Sequence, residues 1–303
     1  MSSITELFRA AARVHGIEGV DFSPPSEHFV ELNSVRLHYV DWGGSGTPIL
    51  FLHGGGQTCR TWDLLAVQLR NRFRCIALDQ RNHGDSGRDP QTGPFDNFVM
   101  ASDARALLDK LKIKRFILVG MSMGGMNTLA FASRYHDGLA AISVVDVTPT
   151  VRPAGTRSVA NFSAPKQWDS IEAALADAVK FNPLRAPEHL HYSLVHALRR
   201  REDGQWVWKH EFGGQPPPAA DAPERNAALS ERLWEEVPKI TCPALILRGG
   251  ESKVITHEDA ERLTKLIANA QMHTIAGAGH TVQGDKPVDF YRTFIDFLDR
   301  HGL

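Results

Sequence analysis

Residues 115–136 read RFILVGMSMGGMNTLAFASRYH, and this stretch constrains the chain more than any other. Phe116 to Val119 form an unbroken apolar run, as expected for a strand buried on both faces of a parallel sheet. After Ser122, Met123, Met126, Leu129, Ala130 and Ala132 recur at helical spacing with no proline, so a helix is expected to begin at once. Reversing from strand to helix within so few residues forces a strained turn, and the side chain at its apex is raised above the sheet edge. Glycines at 120, 124 and 125 suit such a turn, because a Cβ there would collide with the neighbouring strand or helix. The G-x-S-x-G pattern, set between a strand and a helix, marks Ser122 as a candidate nucleophile.

A chain of 303 residues can bury one large α/β core together with an insertion. Its 34 Lys and Arg nearly cancel its 35 Asp and Glu, which leaves no field to attract nucleic acid or an anionic membrane. Cys59, Cys75 and Cys242 are odd in number and far apart, which fits a reducing compartment better than a disulfide framework. Glu6 and Arg9 stand where a secretory leader needs an apolar core, and no run reaches the roughly 18 apolar residues of a membrane span. The expectation is a cytoplasmic protein acting on a small-molecule substrate. Nothing in the sequence calls for a cofactor, a metal, a nucleic acid or a membrane, and oligomeric state has no signature.

Residues 4–14 place Ile4, Leu7, Phe8 and Ala11 on one face, the pattern of a short amphipathic helix; a frayed tail is the alternative. FVEL (29–32) and VRLHYVDWG (35–43) alternate like an antiparallel pair at a sheet edge. Buried strands are expected at 48–54, 74–80, 116–119, 139–147, 243–250 and 272–277, with helices near 62–70, 97–111, 256–268 and 287–300. This alternation predicts a mostly parallel sheet flanked by helices, with right-handed crossovers. Between Thr148 and Pro238 prolines become frequent and the alternation stops, as expected for a mainly helical cap. The division is then an N-terminal extension (1–28), a core (29–148 and 239–303) and a cap (149–238). Phe162, Trp168, Phe181, Trp206, Trp208, Phe212 and Trp234 could line an apolar pocket within it, with Trp206 or Trp208 as the candidates for contact with an acyl group.

The first buried strand runs into His53-Gly54-Gly55-Gly56. Acyl transfer to a serine creates a negative oxygen that fixed backbone N–H groups stabilise, and glycines let a loop approach it closely. The donors assigned are the amides of Gly55 and of Met123, directly after the nucleophile. His53, at a strand end, is read as a brace for this loop. His83 and Asp85, two residues apart in RNHGDSG, cannot easily meet as a catalytic pair and are read as structural or as substrate neighbours. His280, in GAGH after the last strand, is placed to take the Ser122 proton, and of 14 histidines it alone fits the order Ser, acid, His.

HGGG, RNHGDSG, GMSMGG and GAGH, in this order, resemble the α/β-hydrolase superfamily from about residue 28 to the end. RNHG with VVDVTP and RGGES resembles small cytoplasmic esterases and thioesterases that carry the acid after the strand following the elbow helix. VVDVTP and RGGESK also resemble the 2-(acetamidomethylene)succinate hydrolases of vitamin B6 breakdown. The resemblance implies an α/β-hydrolase fold with a cap after strand 6, and a serine hydrolase of esters, thioesters or lactones. C–C bond or amide hydrolysis by the same triad, and a ligand receptor that keeps the triad, are the alternatives; epoxide hydrolases and haloalkane dehalogenases place Asp at the elbow, where this chain has Ser122. Many relatives carry the acid in the loop that here reads GGESKVIT, and the corresponding position holds Lys253. A lysine cannot accept the imidazole Nδ1–H. Asp146 in VVDVTP is therefore assigned as the acid, with Glu251 as the alternative.

Overall fold

In a computed structural model, the structure describes residues 3–89, 96–209 and 222–303. The strands in chain order are β1 (Ser26–Leu32), β2 (Val35–Asp41), β3 (Ile49–Leu52), β4 (Cys75–Asp79), β5 (Phe116–Met121), β6 (Leu139–Val145), β7 (Gln167–Trp168), β8 (Leu198–Arg200), β9 (Trp206–Trp208), β10 (Ala244–Gly249) and β11 (Ala270–Ile275). Eight of them form one sheet in the order β1-β2-β4-β3-β5-β6-β10-β11. The pairs β1/β2 and β2/β4 are antiparallel and every later pair is parallel. The last strand begins two residues before its expected start, because Ala270 already pairs with Ala244.

The helices in chain order are α1 (Ile4–Arg13), α2 (Asp63–Leu69), α3 (Asn97–Lys110), α4 (Met123–Ala132), α5 (Pro153–Phe162), α6 (Ile171–Phe181), α7 (Pro187–Ala197), α8 (Ala222–Glu236), α9 (His257–Leu266), α10 (Val282–Asp285) and α11 (Pro287–Arg300). The unbroken apolar strands are apolar because both faces of the sheet are covered. Along β5, Ile117, Val119 and Met121 join a cluster with Leu65 of α2 and Phe294 of α11, while Phe116 and Leu118 join one with Leu108 of α3 and Leu129 of α4. None of the described helices is long and apolar enough to cross a membrane.

The chain leaves the sheet after β6 and returns at β10. Between them α6 and α7 pack beside the small sheet β7-β9-β8, around Trp168, Leu190, Leu194 and Trp208. The same span ends in α8, whose Leu233 packs on the face of the main sheet. A buried polar contact fastens α7 to the body: the Tyr192 hydroxyl donates to Asp63 Oδ2 at 2.5 Å and accepts from Arg60 Nη2 at 3.1 Å. Phe8 stacks on the same tyrosine, with ring centroids 4.9 Å apart, and touches Phe22 and Trp42. The helix at residues 4–14 is therefore no frayed tail. Ser3 and Glu6 close a capping box at its start, and Phe8 is buried at its centre.

Phe8 is a large buried ring that joins α1, α7 and the body, so Phe8→Ala should lower stability by about 3 kcal/mol or more. A urea titration should show the midpoint shift.

Candidate active site

Ser122 occupies the apex between β5 and α4 with φ 53° and ψ −120°. Such a conformation costs a non-glycine residue about 1–3 kcal/mol and persists only where the surroundings enforce it. Here the Ser122 N–H donates to Val145 O at 2.9 Å, and Ser122 O accepts the Met126 N–H at 3.0 Å. The glycines are required by contact. A Cβ on Gly124 would lie 2.2 Å from Leu52 O, and one on Gly120 would lie 2.1 Å from Gly124 O.

Because β3, β5, β6, β10 and β11 are parallel, the loops leaving their carboxyl ends gather at one edge. His280, after β11, reaches Ser122 Oγ through Nε2 at 3.0 Å and Asp146 Oδ2 through Nδ1 at 2.8 Å. A carboxylate only accepts, so Nδ1 carries the proton and Nε2 turns its lone pair toward the serine hydroxyl. This is the tautomer a base for Ser122 requires. Asp146 is fully buried, with φ 51°; its Oδ1 accepts the Gly249 N–H at 2.9 Å, and its Oδ2 also accepts the Ser252 hydroxyl. Ser252 has no signal in the sequence, since a serine in GGESK carries no pattern of its own. Glu251 and Lys253 are exposed, and the Glu251 amide bonds to Ala278 O, so the loop after β10 supports Asp146 through Gly249 and Ser252 instead of supplying the acid itself.

The loop after β3 lies against the elbow: a Cβ on Gly54 would fall 2.6 Å from Met121 Sδ and 3.3 Å from Ser122 Cβ. The Gly54 N–H is held by Gln57 Oε1 at 3.0 Å, while a Cβ on Gly55 would meet nothing within 4 Å. Space is therefore open beside Gly55. Met123 is the first residue of α4, where an amide has no intrahelical acceptor. His53 is spoken for at both nitrogens: Nε2 accepts the Gln80 N–H at 3.0 Å, so Nδ1 carries the proton and donates to Gly54 O at 2.8 Å. Burial lowers its pKa, and it braces the loop as a neutral ring.

His83 and Asp85 turn apart, the first to Arg81 O at 3.0 Å and the second to Lys209 Nζ at 2.6 Å. Among the described residues, His38, Cys59 and Asp79 bring possible metal-ligating atoms within 4.8 Å of one another. Asp79 is already saturated, by the Cys59 N–H at 2.6 Å, the Asp85 N–H at 2.9 Å and His38 Nδ1 at 2.7 Å. Burial acts to raise its pKa, yet the His38 and backbone donors bring it down to about 2. Burial, then the nearby Asp79, push the Cys59 thiol well up. A carboxylate that accepts three donors and a thiol that keeps its proton are better read as a clamp on the RNHGDSG loop than as a metal site.

A family model described as alpha/beta hydrolase fold matches residues 47–287, most of the chain. The chain belongs to the α/β-hydrolase fold family. It is 27% identical over 294 residues to the esterase Rv0045c of Mycobacterium tuberculosis, covering 94% of this chain and 93% of that protein. A crystal structure of that esterase superposes with a TM-score of 0.77 at 26% identity, over 98% of each chain. It is also 28% identical over 284 residues to the 2-(acetamidomethylene)succinate hydrolase of Mesorhizobium japonicum, covering 90% and 97%. A crystal structure of an E-2-(acetamidomethylene)succinate hydrolase shares the fold, with a TM-score of 0.79 at 24% identity over 91% and 99%. These relatives are hydrolases, which supports hydrolase activity for this chain.

In this α/β-hydrolase most of the aromatics between β6 and β10 are committed to packing. Trp168 and Trp208 meet edge to face at 5.1 Å inside the cluster of α6 and α7, with Trp206 and Phe162 packed against it. Trp234 packs on the main body and donates its indole N–H to Thr150 Oγ1 at 2.8 Å. Phe181 stacks on Phe162 at 4.1 Å and keeps one side exposed. Phe212 lies outside the described residues.

Asp146 touches His280 and Glu251 does not. Asp146→Asn should therefore lower kcat by about 10³ to 10⁴-fold with the fold retained, while Glu251→Gln changes little. Ser252→Ala removes one of the donors to Asp146 and should fall between them, at about tenfold, the rate equivalent of one hydrogen bond. Steady-state kinetics with circular dichroism on the three variants checks the order.

Proposed function

We propose that this chain is a serine hydrolase that cleaves a carboxylic ester, thioester or lactone of a small molecule through an acyl-enzyme on Ser122. The observation that carries the reading is the continuous chain Ser122 Oγ, His280, Asp146, with contacts of 3.0 and 2.8 Å, on a strained turn that presents the serine. In the first step His280 Nε2 takes the Ser122 hydroxyl proton as Oγ attacks the substrate carbonyl carbon. The amides of Gly55 and Met123 receive the oxyanion, and Asp146 stabilises the imidazolium formed. His280 then passes that proton to the leaving group, and the acyl-enzyme remains. Water, deprotonated by the same nitrogen, releases the acid and restores Ser122. These steps call on no cofactor.

A second reading is amide hydrolysis by the same residues. It is favoured by similarity to the 2-(acetamidomethylene)succinate hydrolase and to the N-formylmaleamate deformylase of Pseudomonas putida, 27% identical over 275 residues. The leaving group separates the two readings, because an amide nitrogen must be protonated by His280 before it departs, whereas a thiolate or phenolate need not be.

A fluorophosphonate probe should attach to Ser122 and to no other residue, as read by peptide mass spectrometry. Ser122→Ala should abolish labelling and lower kcat by about 10⁴-fold or more. Labelling elsewhere, or near-normal turnover by Ser122→Ala, refutes the mechanism. A panel of esters, thioesters, lactones and N-acyl amides then ranks the substrate classes by kcat/KM.

A further inference from the structure

His280 must meet two partners at once, Ser122 at 3.0 Å and Asp146 at 2.8 Å, although it stands on a short connection with glycine at 277 and 279. Glycine contributes no side-chain packing to hold such a connection. One carboxylate grips it on both sides of the histidine. Asp285 Oδ2 accepts the N–H of Gly279, immediately before the histidine, at 3.0 Å. Its Oδ1 accepts the hydroxyl of Thr281, immediately after the histidine, at 3.1 Å. The one-turn helix α10 makes this possible, since its closing bond from the Asp285 N–H to Thr281 O, at 3.0 Å, folds residue 285 back beneath the residues it grips.

The connection between α6 and α7 reaches the same carboxylate. Asn182 Nδ2 donates to Asp285 Oδ1 at 2.9 Å and to Thr281 Oγ1 at 3.3 Å, and Arg185 Nε lies 3.3 Å from Asp285 Oδ1. Arg185 Nη2 also reaches Thr281 O at 3.5 Å. Gly284 leaves room for the guanidinium, because a Cβ there would sit 1.9 Å from Arg185 Nη2. Leu184 lies over the other end of the loop, its Cδ1 3.2 Å from where a Gly279 Cβ would be. Residues flanking His280 on both sides are thus tied to Asp285, and Asp285 is tied to the inserted segment.

We propose that Asp285 is a positioning residue for His280, and that Asn182 and Arg185 couple the placement of the inserted segment to the alignment of the histidine. The proposal rests on the reading of Ser122, His280 and Asp146 as the catalytic residues. A buried ion pair is not by itself evidence of stabilisation, because desolvating both charges offsets their attraction. Its place here is explained by geometry, since a shift of about 1 Å in a catalytic group can cost on the order of 10²-fold in rate.

The test uses Asp285→Asn, which keeps the size of the side chain, and Asn182→Ala, which leaves the Arg185–Asp285 pair in place. With p-nitrophenyl acetate, too small to depend on the inserted segment for binding, Asp285→Asn should lower kcat by about 10²-fold and leave KM nearly unchanged. Asn182→Ala should lower kcat by about tenfold, as for one hydrogen bond, and add little in the Asp285→Asn background. The His280 Nδ1–H signal in the proton-nitrogen NMR spectrum, sharp while the bond to Asp146 is held, should broaden in both variants. Unchanged kcat and an unchanged ring signal in folded variants with a lowered melting temperature would overturn the proposal and leave Asp285 a purely structural partner of Arg185. Should Ser122→Ala itself retain turnover, the catalytic reading fails, and the ring signal alone then decides whether Asp285 orders His280.

Discussion

Asp146 has no exposure to solvent, and a buried carboxylate is tolerated only where donors replace the water it has lost. Its donors come from separate parts of the chain: the Gly249 amide at the end of β10, the Ser252 hydroxyl in the following loop, and His280 after β11. Moving any one of these segments would leave a buried charge short of a partner, so the side chain that orients His280 also locks three loops into register. Asp79 does the same on the other side of Ser122. It gathers Cys59, Asp85 and His38 and fixes the RNHGDSG loop beside the loop of His53 to Gly56. Two buried aspartates at the ends of β4 and β6 thus build the rims of the site, and the strained serine stands between them.

The inserted segment is held by a different kind of contact. Most of its described aromatics pack against one another, and separate contacts fasten it to the body. One point is apolar with a polar centre: Phe8 against Tyr192, and Tyr192 bonded to Asp63 and Arg60. A second is the polar grip of Asn182 and Arg185 on Asp285, and Lys209 adds an ion pair to Asp85. The first joins the segment to the N-terminal helix and the body, the second to the loop that carries His280.

Much of this was legible because it depends on local rules. The elbow needed only a buried strand, three small residues and a helix, and all of these are written within residues 115–136. The alternation of apolar runs with helical periods predicted a parallel sheet, and a parallel sheet brings the carboxyl ends of its strands to one edge, which made Ser122, Asp146 and His280 plausible neighbours. Lysine at 253 was equally informative, since a residue that cannot accept a hydrogen bond turned the choice toward Asp146, with Glu251 of the same loop as the alternative. The aromatics of the insertion were less tractable. A tryptophan that fills a core and one that lines a pocket have the same sequence signature, and burial of Trp168 and Trp208 in one cluster is a fact of packing.

The sequence by itself determined the order of elements, the strained turn and the serine at its apex, and the residue types able to serve as base and acid, because each follows from chain connectivity or side-chain chemistry at a single position. Only the tertiary structure decided which donors meet those side chains. Ser252 lies 106 residues from the carboxylate it supports, and Arg185 lies 100 residues from Asp285. No period or spacing encodes such distances, since hydrogen bonds between loops are selected by the fold that brings the loops together. The same holds for α1, whose amphipathic face was plain in residues 4–14 but whose partner, Tyr192 on a helix far along the chain, could be named only once the sheet had placed both ends of the molecule side by side.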